Sequence, residues 1–460
     1  MMKHMSLAEI AKACGGSYVG DDGLKSVEVT GVVIDSRKVE PGFLFAAVKG
    51  ERVDGHSFIP AVFAKGAACV LCEDAPEHPA GPYIQVASTL EALKDLAAYY
   101  RSTLTIPVVG ISGSVGKTST KEMIASILGQ HFHVLKTEGN FNNEIGLPLT
   151  IFRIREEHEA AVLEMGISDF GEMTRLARMA KPTVCVLTNI GLCHLENLKT
   201  RDGILKAKTE MFEQAMPGAQ IIVNGDDDKL ITLKSRTPKP TFFGLDSSLD
   251  LYAEHVENLG LGGSRCDFVT KAGRFTALIP IPGHHMVYNA LAGTAVGMAL
   301  GLTLREIQAG IEALKPVSGR NHLIHTEKWD ILDDCYNANP VSMAASLDVL
   351  TNALGRKVAI LGDMGELGEN EKLLHYNVGC HAADDQIDAI FAVGELSREL
   401  VKGVQAKDPE GRLICRHFAT KAELLTALPL LLLPGDSILV KASHFMEFPE
   451  IVEWLERHGN

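Results

Sequence analysis

Residues 108–124, "VVGISGSVGKTSTKEMI", decide how this chain is read. A short apolar run ends in glycines and hydroxyls, and Gly116-Lys117-Thr118 then opens a helical pattern. The spacing departs from the common phosphate loop G-x-x-x-x-G-K-[ST], because Ile111 stands where the first glycine would be. The physical requirement is a strand, a loop of backbone N–H groups, a helix N-terminus and a lysine facing phosphate oxygens. "PVVGIS" supplies the strand. Gly113 and Gly116 permit close approach and positive φ. Lys117 reaches β- and γ-phosphates, and the Thr118 hydroxyl suits Mg²⁺. Gly113, Ser114, Gly116, Lys117, Thr118 and Ser119 are therefore the expected nucleotide cradle. The competing reading is a glycine-rich turn with a surface lysine.

Outward from this loop, strand–loop–helix units repeat from Ile106. The runs "IPVVGIS", "AAVLEMG", "TVCVLTNI" and "QIIVN" are too continuously apolar to be half exposed, which suits the parallel sheet of an α/β domain. The helical patterns "MVYNALAGTAVGMALGL" and "TLREIQAGIEALK" lead to Pro316. Beyond it "WDILDDCYN", "VAILGDMG", "AIFAVGE" and "SILVKAS" alternate with helices, as in a second doubly wound domain. Upstream lie the short runs "VEVTGVVIDS", "FLFAAVKG" and "AACVLCE", then a helix-like "TLEALKDLAAYYRSTL" with Ser88-Thr89 as its cap. "GDDDK" at 225–229 reads as a solvated turn.

The bulk numbers set limits. A length of 460 residues suits two or three domains. A formal net charge of −14 argues against a nucleic-acid partner, which needs a basic face. No run approaches the roughly 18 apolar residues of a membrane span, and the N-terminal stretch reads as no signal peptide. Nine cysteines without framework spacing suit reduced thiols in a cytoplasm. Cys69 and Cys72 form a C-x-x-C inside an apolar run, so packing is favoured over zinc.

Three residues could complete a nucleotide site. Glu164 ends "AAVLE", where a carboxylate ligand for Mg²⁺ would come from a neighbouring strand. His194 follows the strand end "TNIGLCH". Lys208 shares helical spacing with Ile204, Met211, Phe212 and Ala215, on the apolar stripe. Such a lysine either snorkels to solvent or has its ammonium form disfavoured by desolvation. A neutral amine can take up carbon dioxide and become an anionic carbamate. The structural alternatives are a strand-end carboxylate, a hydrogen-bonded loop histidine and a packed lysine stem.

Together, "DSRKVEPGFLFAAVKGERVDGHSF", "GSVGKTSTKEM", "TEGNFNNEIGLP", "LEMGISDFGEM", "TNIGLCHLE", "AKTE", "YNALA", "SGR", "DDCYNANPVSM" and "LGDMGELG" resemble the Mur ligase family along essentially the whole chain. The family's loop is a G-x-x-G-K-[ST] form, which accounts for the spacing. "NFNNEIG" and "YNANPVSM" favour the member that adds a dipeptide.

The resemblance implies an α/β fold of three domains: a small α/β UDP-binding domain over 1–86, a central P-loop ATPase-like parallel sheet over 87–315, and a C-terminal Rossmann-like domain over 316–460. It implies ATP-dependent ligation of D-alanyl-D-alanine to UDP-N-acetylmuramoyl-tripeptide through an acyl phosphate. That is a cytoplasmic step of peptidoglycan synthesis by a monomer, with Mg²⁺ as cofactor. Residue by residue, it places Ser36, Arg37, Asp54 and His56 at the UDP end, and Asn140 and Asn143 facing substrate. Lys117 and Thr118 take phosphate and metal. Glu164 and His194 are the metal pair, and Lys208 is the carbamylated lysine supporting a second metal. Asn289 contacts adenine. Arg320 reaches the terminal phosphate from the next domain. Asp334 lies on the ribose side, with Tyr336, Asn337 and Asn339 beside it. Lys117, Lys208, His194 and Arg320 form the catalytic set. Departures from the family pattern are Met286, where an amide is usual, and Ala442 and His444 in "KASHFME". Rival readings are a sister ligase, a folylpolyglutamate synthase-like ligase, and a nucleotide-regulated binding protein. An NAD-binding C-terminal domain is weak, because "GDMGELG" is G-x-x-G-x-x-G.

Overall fold

The computed structural model describes residues 5–50, 53–385 and 387–460. Among them the strands form three sheets. The first contains β1 (Ser17–Val19), β2 (Gly31–Val33), β3 (Phe43–Ala46), β4 (Cys69–Cys72) and β5 (Tyr83–Gln85), in the order β1-β5-β4-β3-β2. Only β1 runs antiparallel to its neighbour. Both cysteines of β4 are fully buried. Burial pushes the Cys69 thiol up to about 12 and that of Cys72 up to about 11. They are packing residues, as expected.

The second sheet contains β6 (Val108–Ser112), β7 (Val134–Lys136), β8 (Ala160–Glu164), β9 (Val184–Leu187), β10 (Gln220–Asn224), β11 (Thr241–Gly244), β12 (Leu251–Asn258), β13 (Ser264–Thr270) and β14 (Gly273–Ile279). Its order is β14-β13-β12-β11-β10-β9-β6-β8-β7. β6, β8 and β7 are parallel; β6 and β8 are wholly buried, as their apolar runs required, while β7 at the edge is buried only at Leu135. The meander β12-β13-β14 is antiparallel and escapes the sequence reading. Its strands alternate buried and exposed positions, so they lack the continuous apolar runs that marked the others.

The third sheet contains β15 (His322–His325), β16 (Asp330–Asp333), β17 (Lys357–Gly362), β18 (Ala389–Val393), β19 (Ile414–Phe418) and β20 (Ser437–Lys441), in the order β15-β16-β20-β17-β18-β19. All its pairings are parallel except β15 with β16. Separate apolar clusters cover its two faces. Leu332, Leu361 and Ile390 belong to one, and Ile331, Ile360 and Phe391 to the other. This is the doubly wound arrangement anticipated after Pro316, and the fold class is α/β.

The chain packs into two compact units. One gathers residues through 112, 131–186 and 207–221; the other gathers 113–130, 187–206 and 222–460. In the first, Ser88 caps the helix Thr89–Ser102 by accepting the Glu91 N–H, and that helix buries Leu93, Leu96 and Tyr100. The buried Tyr100 hydroxyl donates to the Ile154 carbonyl at 2.6 Å. In the second, the helix Lys117–Leu128 buries Met123, Ile124 and Ile127, and the helix His285–Ala299 is buried on nearly all sides. No helix among the described residues is long and apolar enough to cross a membrane.

Candidate active site

The glycine loop belongs to the second unit, and its shape is imposed by the residues that follow β9. The Val115 N–H donates to Asn189 Oδ1 at 2.9 Å, and Asn189 Nδ2 donates back to the Val115 carbonyl at 3.0 Å. Thr188 Oγ1 donates to that same carbonyl at 2.7 Å. The Ser114 N–H donates to the Asn189 carbonyl at 3.1 Å, and the Gly191 N–H to Ser114 Oγ at 2.9 Å. Gly113 is obligatory here: a Cβ would lie 1.9 Å from Thr188 Oγ1. Gly116 is left-handed at φ 79°, turning the chain into the helix that begins at Lys117. The Lys117 ammonium folds over the loop, donating to the Gly113 carbonyl at 2.9 Å and to that of Ser114 at 3.5 Å. A cation so placed lies where a phosphate would meet the loop's N–H groups.

Asn189 was not among the expected site residues. Its only sequence signal is an amide directly after a buried strand. Its placement depends on the acidic turn at 225–229, which is more than the solvated turn expected. Asp227 Oδ2 accepts the Ile190 N–H at 2.8 Å, and Asp227 Oδ1 accepts the N–H groups of Lys229 and Leu230, each at 2.9 Å. Arg201 Nε donates to the Ile190 carbonyl at 2.8 Å while its guanidinium pairs with Asp228. The peptide next to Asn189 is thus gripped on both sides, which sequence alone could not reveal because the partners lie in separate segments.

Arg320, expected to arrive from the following domain, stands beside the loop. Its neighbours are pinned: the Gly319 N–H donates to Asp333 Oδ2 at 2.6 Å and the Asn321 N–H to Asp334 Oδ1 at 3.2 Å. Gly319 has φ 75°, and a Cβ there would press on the Tyr336 backbone N at 3.2 Å. The Arg320 guanidinium lies 4.0 Å over the Tyr336 ring, and Nη2 donates to Thr118 Oγ1 at 3.4 Å. Thr118, Ser119, Met286, Val317 and Arg320 line one shallow cleft. It joins the start of a helix, an arginine and an apolar wall, which suits a phosphorylated ligand.

The other expected residues of this unit are held within the protein. Asp334 is buried; its Oδ2 accepts Lys441 Nζ at 2.5 Å and Ser346 Oγ at 2.6 Å. Lys441, itself buried, also donates to the Asn337 carbonyl at 3.2 Å. Asn339 caps the helix Pro340–Thr351 by accepting the Ser342 N–H at 2.9 Å. Tyr336 and His444 lie 5.5 Å apart, ring to ring. Asn289 is buried behind the loop, its Oδ1 accepting Thr120 Oγ1 at 2.9 Å while its amide donates to Met286 Sδ at 3.2 Å. Met286 thereby takes up the contact that an amide side chain would otherwise offer. His194 has φ 49° at the head of the helix Leu195–Leu198, with Nδ1 3.3 Å from Glu366 Oε2.

In the first unit, Glu164 closes β8 and is 2 % exposed. It accepts Asn142 Nδ2 at 2.9 Å, and its backbone N–H donates to Thr137 Oγ1 at 3.0 Å. Asn142 is thus a further residue that sequence reasoning passed over, while its neighbours were singled out. Asn143 serves the backbone, its Oδ1 accepting the Gly146 N–H at 2.8 Å, and the Asn140 carbonyl accepts the Asn142 N–H at 2.6 Å. Lys208 is 1 % exposed, and Ile204, Met211 and Phe212 are buried, so the apolar stripe is as expected. Of the expected metal set, Thr118 and His194 lie in the second unit, and Glu164 and Lys208 in the first.

Two turns of the first unit share one design. Asp35 caps the 3₁₀ turn Ser36–Lys38 and clasps Arg37 with bonds of 2.9 and 2.8 Å to Nε and Nη2. The Arg37 side chain holds the Asp35 carboxyl down at about 2. The Ser36 carbonyl accepts Lys65 Nζ at 2.8 Å. Asp54 caps Gly55–Phe58 and accepts both the His56 N–H at 2.9 Å and ring Nδ1 at 2.7 Å. His56 Nε2 accepts the Glu73 N–H at 2.9 Å, so the proton sits on Nδ1. Arg37 is exposed, whereas His56 is tied into the fold.

Comparison with known proteins adds to this geometry. Residues 111–297 match the model of the Mur ligase middle domain, 319–444 that of the Mur ligase glutamate ligase domain, and 28–101 that of the Mur ligase family catalytic domain. The chain is 39% identical over 431 residues to the UDP-N-acetylmuramoyl-tripeptide–D-alanyl-D-alanine ligase of Bacillus subtilis, covering 92% of this chain and 93% of that one. A crystal structure of MurF from Acinetobacter baumannii superposes with a TM-score of 0.91 at 32% identity, covering 99% of each chain. MurF ligase from Thermotoga maritima in complex with ADP gives a TM-score of 0.82 at 29% identity, covering 93% of this chain and 97% of that one.

Proposed function

The chain belongs to the Mur ligase family, and from that premise we propose that it joins D-alanyl-D-alanine to UDP-N-acetylmuramoyl-tripeptide, converting ATP to ADP and phosphate. One observation carries the reading: in one unit Lys117 folds its ammonium over the glycine loop, and Arg320 bonds Thr118 at the start of the helix that follows. A carboxylate does not condense with an amine in water. Transfer of a phosphoryl group to it makes an acyl phosphate; the amine attacks that carbon, and phosphate leaves from the tetrahedral intermediate. This demands positioning and charge neutralisation rather than a protein nucleophile.

Lys117 exchanges loop carbonyls for phosphate oxygens when nucleotide enters. Arg320, stacked on Tyr336, faces the charge that builds on the transferred group. Asn189 fixes the Val115 peptide by bonding both its N–H and its carbonyl, and so holds the shape of the loop. Mg²⁺, when bound, neutralises phosphate charge and polarises the transferred group. In the second unit Thr118 and His194 are the residues that would hold it; a hydroxyl oxygen suits a hard cation. In the first unit Glu164 is the expected carboxylate ligand, and Lys208 would serve beside it only as a carbamate, since an ammonium group repels a metal. Its near-complete burial, away from the wet face of its helix, is what this reading builds on.

The same reading divides the chain at 1–86, 87–315 and 316–460. Ser36, Arg37, Asp54 and His56 serve the UDP end, and Asn140 and Asn143 the peptide. Asn289 and Asp334 serve the nucleoside. Tyr336, Asn337 and Asn339 stand beside the incoming dipeptide. The enzyme works in the cytoplasm as a monomer.

The test labels the tripeptide's terminal carboxylate with ¹⁸O. One labelled oxygen is expected in the inorganic phosphate released. Unlabelled phosphate would overturn the acyl-phosphate route. Offering single amino acids in place of D-alanyl-D-alanine separates this reading from a sister ligase, since only the dipeptide should be joined.

A further inference from the structure

Two clusters away from the active site each bring a histidine and two carboxylates within 4.8 Å of one another. They differ in what surrounds them. Glu254, His255 and Asp267 lie on β12 and β13. There Arg274 pairs with Glu254, and Asp267 is satisfied by His255 Nδ1 at 3.0 Å and by Thr276. A cation would have to displace a guanidinium, so that cluster is a closed salt-bridge network.

Asp348, His381 and Asp385 lie where the helix Pro340–Thr351 and the helix Glu371–Asp384 both end. His381 Nε2 is 2.8 Å from Asp348 Oδ1 and 3.2 Å from Asp385 Oδ2. One ring N–H cannot serve both oxygens. It goes to Asp348, and Asp385 Oδ2 is left buried without a hydrogen-bond partner. Such a carboxylate oxygen is costly to bury. Lys407 is engaged with Asp384 at 3.0 Å.

We propose that Asp348, His381 and Asp385 bind a divalent metal ion of the zinc class, which clamps the ends of these two helices together. Imidazole with two carboxylates is a common donor set for such an ion. Tetrahedral bonds of about 2.0–2.1 Å put ligand atoms roughly 3.4 Å apart. The pair at 3.2 Å lies close to that, and the pair at 2.8 Å has to open by roughly half an ångström. On binding, the ring takes the tautomer with its proton on Nδ1, the Nε2 lone pair takes the metal, and Asp385 binds as its carboxylate. Both helix ends present unsatisfied carbonyls and partial negative charge, which favour a cation. Asp348 is exposed, leaving water access to the fourth position.

The rival is a proton shared between Asp348 and Asp385. Full-length protein, stripped with EDTA and dialysed, is titrated with ZnCl₂ by calorimetry alongside His381→Ala and Asp385→Asn. The unmodified chain should bind one equivalent more than either variant, which cancels any zinc taken by the cysteines. Its Tm should rise by several degrees on adding zinc, and those of the variants should not. Asp348→Asn, altered at an exposed position, should bind at least tenfold more weakly. Equal stoichiometry in all chains, or an equal zinc-induced Tm shift, would overturn the proposal. So would Asp385→Asn raising Tm in EDTA with zinc binding unchanged, the signature of a shared proton.

Discussion

The loop from Gly113 to Thr118 and the turns at 35–37 and 54–56 all present groups suited to anions, yet they are held in place by different parts of the chain. The loop offers backbone N–H groups, and its shape comes from Asn189, Thr188 and, one step further back, Asp227. The turns offer side chains, and each is shaped by an aspartate two residues earlier. A loop built from afar fails when a distant contact is lost. A turn built locally keeps its form and loses only the side chain that was changed.

The largest effect should come from the loop's own charge. Lys117→Met removes the ammonium while keeping an unbranched stem. Ligation should fall by about 10²–10³ in kcat, the scale of losing one preorganised electrostatic contact. Thermal unfolding should barely move. Phosphate release under saturating substrates measures the first and circular dichroism the second. A variant with full turnover would leave the loop as a plain strand–helix turn.

Next comes the distant support. Asn189→Ala deletes a pair of hydrogen bonds to Val115. At about 1 kcal/mol or somewhat more for such bonds, KM for ATP should rise roughly tenfold. KM for the UDP-linked substrate should stay put. If both KM values rose together, Asn189 would be supporting the fold at large rather than the loop.

The two turns then separate from each other. Arg37→Ala should raise KM for the UDP-linked substrate several-fold and leave Tm unchanged, because the guanidinium is exposed. His56→Ala should raise that KM too, but with a loss of stability that Arg37→Ala lacks. It strips the Glu73 N–H of its acceptor, at a cost of about 1–2 kcal/mol of stability. Steady-state kinetics beside urea unfolding would expose the contrast, and a His56 variant of undiminished stability would break it.

This contrast also marks what the sequence could convey. The glycine loop, the cap at Ser88 and the apolar stripe carrying Lys208 are local patterns, set by residues within a turn or two. The buried parallel strands were visible because they are apolar without interruption. Asn189, Asn142 and Lys441 were invisible because an amide or a lysine acquires its meaning from a partner far along the chain. Asp227 was misread for the same reason: its neighbours in sequence are acidic and wet, while its Oδ2 reaches back to Ile190. The half-exposed meander of β12–β14 was lost to the search for continuous apolar runs. Asp334 and Asn289 were picked out as ligand contacts, and the structure shows what each also does inside the protein.

The smallest effect tests how the two turns divide the work between side chain and backbone. Asp35 is held at about 2 first by the Arg37 side chain and second by the Arg37 N–H. Asp54 is also held below its ordinary value, but there the His56 N–H leads and the ring follows. A carboxyl depressed in the folded state stabilises the fold above its unfolded value near 3.8, and that contribution fades as the pH drops toward about 2. Carboxyl NMR titration of Arg37→Ala should therefore move the Asp35 midpoint up toward 3.8, the residue-37 N–H keeping part of the depression. In His56→Ala the backbone donor remains, so Asp54 should move less. Equal shifts at both sites would mean that the turns hold their aspartates by the same means, and the distinction between an exposed clasp and an embedded one would lose its electrostatic basis.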